Sequence, residues 1–336
     1  MSAVAPALAF QPQQGGRVVL LPHFKPHCDG LQTIGGRIIA LGADDCALAA
    51  HCVQERAWTD IAGAPADRLV AAGYLARLPS ATAALAGPRA LVLSPHIDDA
   101  ALSLGGWIAT RRGRVPPPLV LNVFSRQSYQ SGLRAPAARL DEIARAEDRL
   151  AGRILGYERR ALGLAGAQDR LGLALREVMG WRASDVAARF RREIEMLAEA
   201  ITTAVAAEPI DRLFAPAAIG GHLDHVLVAL AAPRIAAELG VPQSGVSLYE
   251  DLPYAAGHMG GGIGAEGRVM RAEHFTAIED KRAALSVFRT RLRAPQVALC
   301  LAHARRIAGG HGAAERMFVC PTPQERRAGH AAVSLS

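Results

Sequence analysis

Lysine is almost missing from this chain: Lys25 and Lys281 stand among 38 basic residues, and the net charge of +7 rests on arginine. Those arginines are spread along the sequence, with only short pairs such as Arg111-Arg112 and Arg191-Arg192. A surface that tracks phosphates needs clustered cations. The Ala/Arg/Gly-rich composition reads instead as coding bias, so nucleic acid is not an expected partner, while anionic substrates stay open. No uninterrupted apolar stretch reaches about 18 residues, which excludes an expected membrane span. Met1 to Phe10 lacks a basic segment ahead of an apolar one, so no secretory leader is expected. The five cysteines (Cys28, Cys46, Cys52, Cys300, Cys320) are odd in number and none stands at CxxC spacing. A disulfide framework and a cysteine zinc site are therefore both unexpected, and reduced thiols in the cytoplasm fit best. No internal repeat is evident.

What is present is apolar bulk. With 336 residues, 50% of them hydrophobic, the chain can bury one large core, with or without a smaller second one. Residues 1–85 differ from the rest: Arg17–Pro22 and Gly35–Leu41 read as strands, Asp44–Glu55 and Pro65–Leu78 as helices, the latter with proline at a favoured first position. We read a small accessory domain here. Its pattern resembles the winged-helix-like fold of PqqD-type peptide-carrier proteins. Pro79–Pro88 reads as the linker.

From residue 86 to 336, apolar runs alternate with amphipathic segments, the pattern of an α/β domain with a mainly parallel sheet covered on both faces by helices. Expected strands are Ala90–Ser94, Pro118–Phe124, Glu158–Leu164, Asp211–Ala215 and Gly245–Tyr249. Expected helices are Ala100–Arg112, Ala137–Leu155, Ser184–Ala206, His225–Leu239 and Ala277–Arg291. Gly257–Gly267 reads as a mobile glycine-rich loop.

In such sheets ligands bind beyond the carboxyl ends of the strands. The polar residues at those ends are His96, Asp98 and Asp99; Ser125, Arg126 and Gln127; His222, Asp224 and His225; Glu250 and Asp251. His96 and Asp99 stand three apart in Pro95-His96-Ile97-Asp98-Asp99, and His222 and His225 repeat that spacing behind Gly220-Gly221. Three nitrogen or oxygen ligands with one position left for water make a catalytic zinc site, and neither cluster contains a cysteine for a structural one. Asp98, beside the candidate ligand Asp99, is placed to act as general base. His222, if not a ligand, is placed to steady an oxyanion or protonate a leaving amine, with Asp224 holding that imidazole protonated and oriented. Any one of these residues alone has a plainer reading: a satisfied histidine at a strand end, or an aspartate capping the next helix. Two clusters at two such strand ends argue otherwise.

These residues carry a resemblance. Leu91 to Gly106, LVLSPHIDDAALSLGG, resembles the first motif of the PIG-L/LmbE-like deacetylases, and Gly220 to Val228, GGHLDHVLV, resembles their His-x-x-His motif. Arg145–Gly156, Leu248–Ala255 and Asp280–Thr290 match further segments in the family's order. Ile97 replaces the family's usual proline and Ala100 its frequent glutamate. The resemblance implies a Rossmann-like, doubly wound fold and zinc-dependent removal of N-acetyl groups from amino sugars in small molecules or glycoconjugates. It implies His96, Asp99 and His225 as metal ligands, Asp98 as general base, and His222 with its neighbour Asp224 as stabilisers of the tetrahedral intermediate. Two other expectations stay open: a metal hydrolase of a non-sugar or carrier-bound amide, and a non-catalytic basic binding protein on this fold. Glu147 and Asp148 read as solvated or helix-pairing charges. Glu250 and Asp251 are candidates for substrate hydroxyls or for orienting His222, and equally for forming a turn before Pro253. The acceptor pocket is expected from loops near Ser125–Arg134, Gly166–Trp181 and Gly257–Gly267.

Overall fold

The computed structural model describes residues 16–83, 85–126, 135–257, 267–310, 312–321 and 325. Contacts divide the chain into two units, Met1–Thr82 and Ala83–Ser336.

The first unit holds β1 (Arg17–Leu20), β2 (Phe24–His27), β3 (Gly30–Thr33), β4 (Ile38–Ala40), α1 (Ala43–His51), β5 (Arg56–Ala57), α2 (Trp58–Ile61), α3 (Ala64–Ala71) and β6 (Leu75–Leu78). β1 lies antiparallel between β5 and β6, and β2, β3 and β4 form an antiparallel meander. Val18, Leu31, Cys52 and Leu69 are fully enclosed. The helix expected over Pro65–Leu78 stops at Ala71, because Gly73 takes a left-handed turn (φ 73°) that reverses the chain into β6.

The second unit holds β7 (Arg89–Ser94), α4 (Asp99–Arg111), β8 (Leu119–Asn122), α5 (Ala137–Leu155), β9 (Glu158–Ala161), α6 (Ala167–Leu171), α7 (Ala183–Arg189), α8 (Arg191–Val205), β10 (Ile210–Pro216), α9 (Leu223–Glu238), β11 (Val246–Tyr249), β12 (Val269–Phe275), α10 (Ile278–Val287), α11 (Ala294–Ile307) and β13 (Ala313–Val319). Its seven-stranded sheet has the order β12-β13-β11-β10-β7-β8-β9. β7 to β11 are parallel neighbours, with Leu91 paired to Leu119 on one side and Leu213 on the other. β13 and β12 add an antiparallel edge that the sequence reading lacked. The buried central strands are nearly continuous apolar runs, as parallel strands covered on both sides must be.

Strand order places the site. The chain runs β7, β8, β9 toward one edge and then crosses to β10 on the other side of β7. The loops leaving β7 and β10 therefore diverge and open a crevice at their carboxyl ends. His96 and Asp98 lie in the first of those loops with Asp99 opening α4, and His222 ends the second with Asp224 and His225 in the first turn of α9.

Helices α4, α5 and α10 pack together beside that crevice. Here Glu147 and Asp148 depart from the sequence expectation: they are 0% and 1% exposed, not solvated. Glu147 accepts from the Thr290 backbone N–H (2.7 Å) and hydroxyl, so it ties α5 to the turn after α10. Asp148 accepts from Asn122 Nδ2 (2.7 Å) and the Tyr157 hydroxyl (3.0 Å). Burial pushes the Asp148 carboxyl up to about 6 despite the opposing pull of Arg159, Tyr157 and Asn122. A carboxyl raised above its ordinary 3.8 gives its full contribution to stability below that pH, and the contribution is lost as pH rises through about 6. Asp148→Asn removes this dependence. Between pH 4 and 8 the urea-unfolding free energy of the variant is expected to gain on the wild type by up to about 3 kcal/mol. A gap between the two that does not change with pH would contradict the assignment.

Candidate active site

β7 ends at Ser94, whose hydroxyl accepts from the Ala100 N–H (3.1 Å) and donates to the His96 carbonyl, closing a tight turn into α4. Within that turn Asp99 Oδ2 accepts from the His96 backbone N–H at 2.7 Å. Asp98 occupies the N-cap position of α4, yet its side chain makes no capping bond. The plainer reading of Asp98 as a helix cap therefore fails, and its half-buried carboxylate lines the cavity.

The second loop is shaped by backbone. Gly220 and Gly221 both have positive φ (85° and 65°), and a Cβ on Gly221 would stand 2.7 Å from the Trp181 carbonyl oxygen. A strap over Val178–Trp181 pairs with this loop through Leu223 N to Val178 O (2.8 Å), Gly180 N to Gly220 O (3.1 Å) and Trp181 N to Gly221 O (2.9 Å). His222 then caps α9, its Nδ1 accepting from the Asp224 N–H at 3.2 Å.

The two loops meet. Asp99 Oδ2 is 3.4 Å from His96 Nδ1 and 3.3 Å from His225 Nε2, and those two nitrogens are 3.4 Å apart. Ligands about 2.1 Å from a tetrahedral ion stand about 3.4 Å from one another. The three atoms thus form one face of such a tetrahedron. The outer nitrogen of each ring is held by a carboxylate: His96 Nε2–H by Asp224 Oδ2 at 3.1 Å, and His225 Nδ1–H by Asp251 Oδ1 at 2.7 Å. This is the usual way that metal-binding imidazoles are oriented. His96, His222 and His225 also offer ring nitrogens within 4.8 Å of one another, but Nδ1 of His222 is already used by the backbone.

Electrostatics agree with a cation at this point. Burial opposes charge on His96, but hydrogen bonds to Asp224 and Asp99 raise it to about 10. Burial likewise opposes charge on His225, and Asp99 and Asp251 raise it. Against burial, the neighbouring imidazoles hold Asp99 down to about 2. The pocket therefore favours positive charge where the three ligand atoms converge. Asp98 is raised to about 6 by burial and by the charge of Asp99, with Arg291 and His96 opposing. His222 is lowered to about 2 by burial and by the charges of His96 and His225. It is a neutral imidazole whose Nδ1 accepts, which leaves the proton on Nε2.

Three placements, those of Asp224, Asp251 and Glu250, differ from the sequence reading. That reading has Asp224 holding His222 protonated; its carboxylate instead faces His96, Ala167 N–H (2.9 Å) and Arg170, and only its backbone touches His222. Asp251, expected to orient His222 or bind substrate, orients His225. Glu250 turns away to the buried His303 (2.7 Å) and to Arg316 (3.5 Å). Ser125 accepts from the Gly163 N–H (3.0 Å), outside the cluster. Gln127 and most of the Ser125–Arg134 and Gly257–Gly267 loops lie outside the described residues.

The cavity above the cluster is about 290 Å³, near the lower bound for small-molecule pockets. Met179, Leu175 and Gln168, from the expected Gly166–Trp181 segment, form part of its wall. Tyr254, Arg291 and Gln296 form more of it and were missed. Only Tyr254 had a signal, lying in the segment Leu248–Ala255 that matched the family. Among the described residues, no helix is long and apolar enough to cross a membrane.

No protein-family model matches the chain. Over 171 residues it is 40% identical to the 2'-N-acetylparomamine deacetylase of Streptomyces fradiae, a match covering 50% of this chain and 58% of that enzyme. The chain thus spans less than two thirds of that relative's length. The A40926 pseudoaglycone deacetylase Dbv21 superposes with a TM-score of 0.53 at 24% identity, covering 69% of this chain and 96% of that one. The zinc-inhibited form of teicoplanin deacetylase Orf2 gives 0.53 at 23% identity, covering 68% and 97%. These two show the fold. The resemblance to PIG-L/LmbE-like deacetylases is borne out by a deacetylase as homologue and deacetylases as structural neighbours.

Proposed function

We propose that this chain, a homologue of 2'-N-acetylparomamine deacetylase, is a metal-dependent N-deacetylase acting on an N-acetylated amino sugar in an aminoglycoside or related glycoconjugate. The observation that carries this reading is the triangle of Asp99 Oδ2, His96 Nδ1 and His225 Nε2, with edges of 3.3–3.4 Å, next to a carboxylate that makes no capping bond. His96, Asp99 and His225 would hold the ion, and zinc is the species we assign. Bound there, such an ion polarises an acyl carbonyl and acidifies water.

The chain's own groups do the rest. Asp98 takes one proton from the attacking water and passes it to the departing nitrogen, and the amine takes the second from the acid formed, so that amide and water become protonated amine and acetate. Neutral His222 donates its Nε2–H to the developing oxyanion. Asp224 and Asp251 fix the rings of His96 and His225. The cavity takes the acetamido group and part of one sugar ring. Residues 1–85 we assign as an accessory domain. Five free cysteines support a reducing compartment such as the cytoplasm.

The test is acetate release from 2'-N-acetylparomamine and from simple N-acetyl amino sugars by the purified chain. Chelation is expected to lower the rate at least about 100-fold, with recovery on adding zinc. Acetate release that survives complete chelation would remove the metal from the reading. Absence of release from all the amino-sugar amides would remove the substrate class.

A further inference from the structure

Arg170 lies outside both motifs, and its guanidinium is clamped behind the site. Asp224 is 1% exposed, and its two oxygens have different partners. Oδ2 accepts from His96 Nε2–H and from the Ala167 N–H. Oδ1 accepts from Nη1 and Nη2 of Arg170, both at 3.2 Å. The guanidinium has three further neighbours: Nη1 donates to the Ala165 carbonyl (2.7 Å), Nε forms an ion pair with Glu193 Oε1 on α8 at 2.8 Å without making a hydrogen bond, and the group stacks 4.7 Å over the Phe124 ring.

We propose that Arg170 is a positioning residue, fixing the Asp224 carboxylate that in turn fixes the His96 ring, so that α6 and α8 set the geometry of the ion site. The inference rests on the metal reading above. A carboxylate can rotate about its last bond. The two Nη donors on one oxygen remove that freedom and leave Oδ2 facing His96. Lysine carries the same charge but has no planar fork with which to do this. A role in neutralising a buried aspartate and a role in orienting it therefore separate in the Arg170→Lys variant.

The experiment is chelator competition for zinc and for cobalt on the full chain, read as metal affinity and not as turnover, with Arg170→Ala, Arg170→Lys, Asp224→Asn and the Arg170→Ala/Asp224→Asn double variant. Arg170→Ala and Arg170→Lys are each expected to weaken binding by roughly 10-fold or more. The double variant is expected to bind no more weakly than Asp224→Asn alone, because both changes break one path. Metal-free urea unfolding establishes that each variant is folded, and Arg170→Lys carries the test if Arg170→Ala is not. Wild-type affinity in Arg170→Lys, or additive losses in the double variant, overturns the inference alone. A wild-type chain that takes up neither metal overturns the metal reading and the inference together.

Discussion

Replacing Asp98 by Asn is expected to lower the rate of amide hydrolysis by a factor of about 10² to 10⁴ while metal uptake stays within about twofold of wild type. Asparagine keeps the shape of the side chain and the start of α4, because Asp98 makes no capping bond there. What it loses is the ability to accept a proton. The carboxyl is suited to proton transfer because burial and Asp99 raise it to about 6, near the pH at which a proton must be taken from water and given to an amine. Metal content and turnover are measured on the same preparation. Turnover near wild type would remove Asp98 as the base, and loss of metal together with turnover would make it a ligand instead.

Glu315→Ala is expected to cost about 3–5 kcal/mol of folding stability without touching the site. Glu315 is 2% exposed and accepts from Lys281 Nζ (2.6 Å) and from two amides inside α4, Gly106 (2.9 Å) and Trp107 (2.8 Å). Lys281 is 0% exposed, so truncating its partner leaves a buried ammonium without its carboxylate. The Gly105-Gly106 pair makes the approach possible, since a Cβ on Gly106 would stand 2.3 Å from the Phe275 ring. Urea unfolding followed by tryptophan fluorescence is the measurement. A loss under about 1 kcal/mol would mean that water or a neighbour replaces the carboxylate.

The same residue shows why part of the fold escaped the sequence. β13 reads AAERMFV, and a glutamate and arginine at its centre look like a loop until Lys281 on α10 is known to meet Glu315. β12 suffers likewise, with Arg271, Glu273 and His274 inside it. Four of the five parallel strands, β7, β8, β10 and β11, were legible because each carries a buried apolar run, whereas β9 at the sheet edge reads ERRA and is largely exposed. Ser184–Ala206 reads as one amphipathic helix but breaks at Phe190 into α7 and α8. For the site, the spacing of His96, Asp99, His222 and His225 identifies which loops converge. It does not tell which ring each carboxylate faces, so on spacing alone Asp224 falls to His222 and Asp251 stays open between His222, substrate and a turn, whereas they hold His96 and His225. Glu147 and Asp148 carry no local sign of burial, because their partners Thr290 and Asn122 are 143 and 26 residues away.

The strap over Val178–Trp181 separates two properties that usually travel together. Its three hydrogen bonds to the histidine loop, from Val178, Gly180 and Trp181, are made by main-chain atoms, whereas the side chain of Met179 lines the cavity. Replacement of that side chain reshapes the wall met by an incoming molecule and leaves the bonds behind His222 in place. If the cavity takes the substrate as proposed, a change at Met179 is thus expected to alter which molecule fits while the main chain behind His222 keeps its bonds.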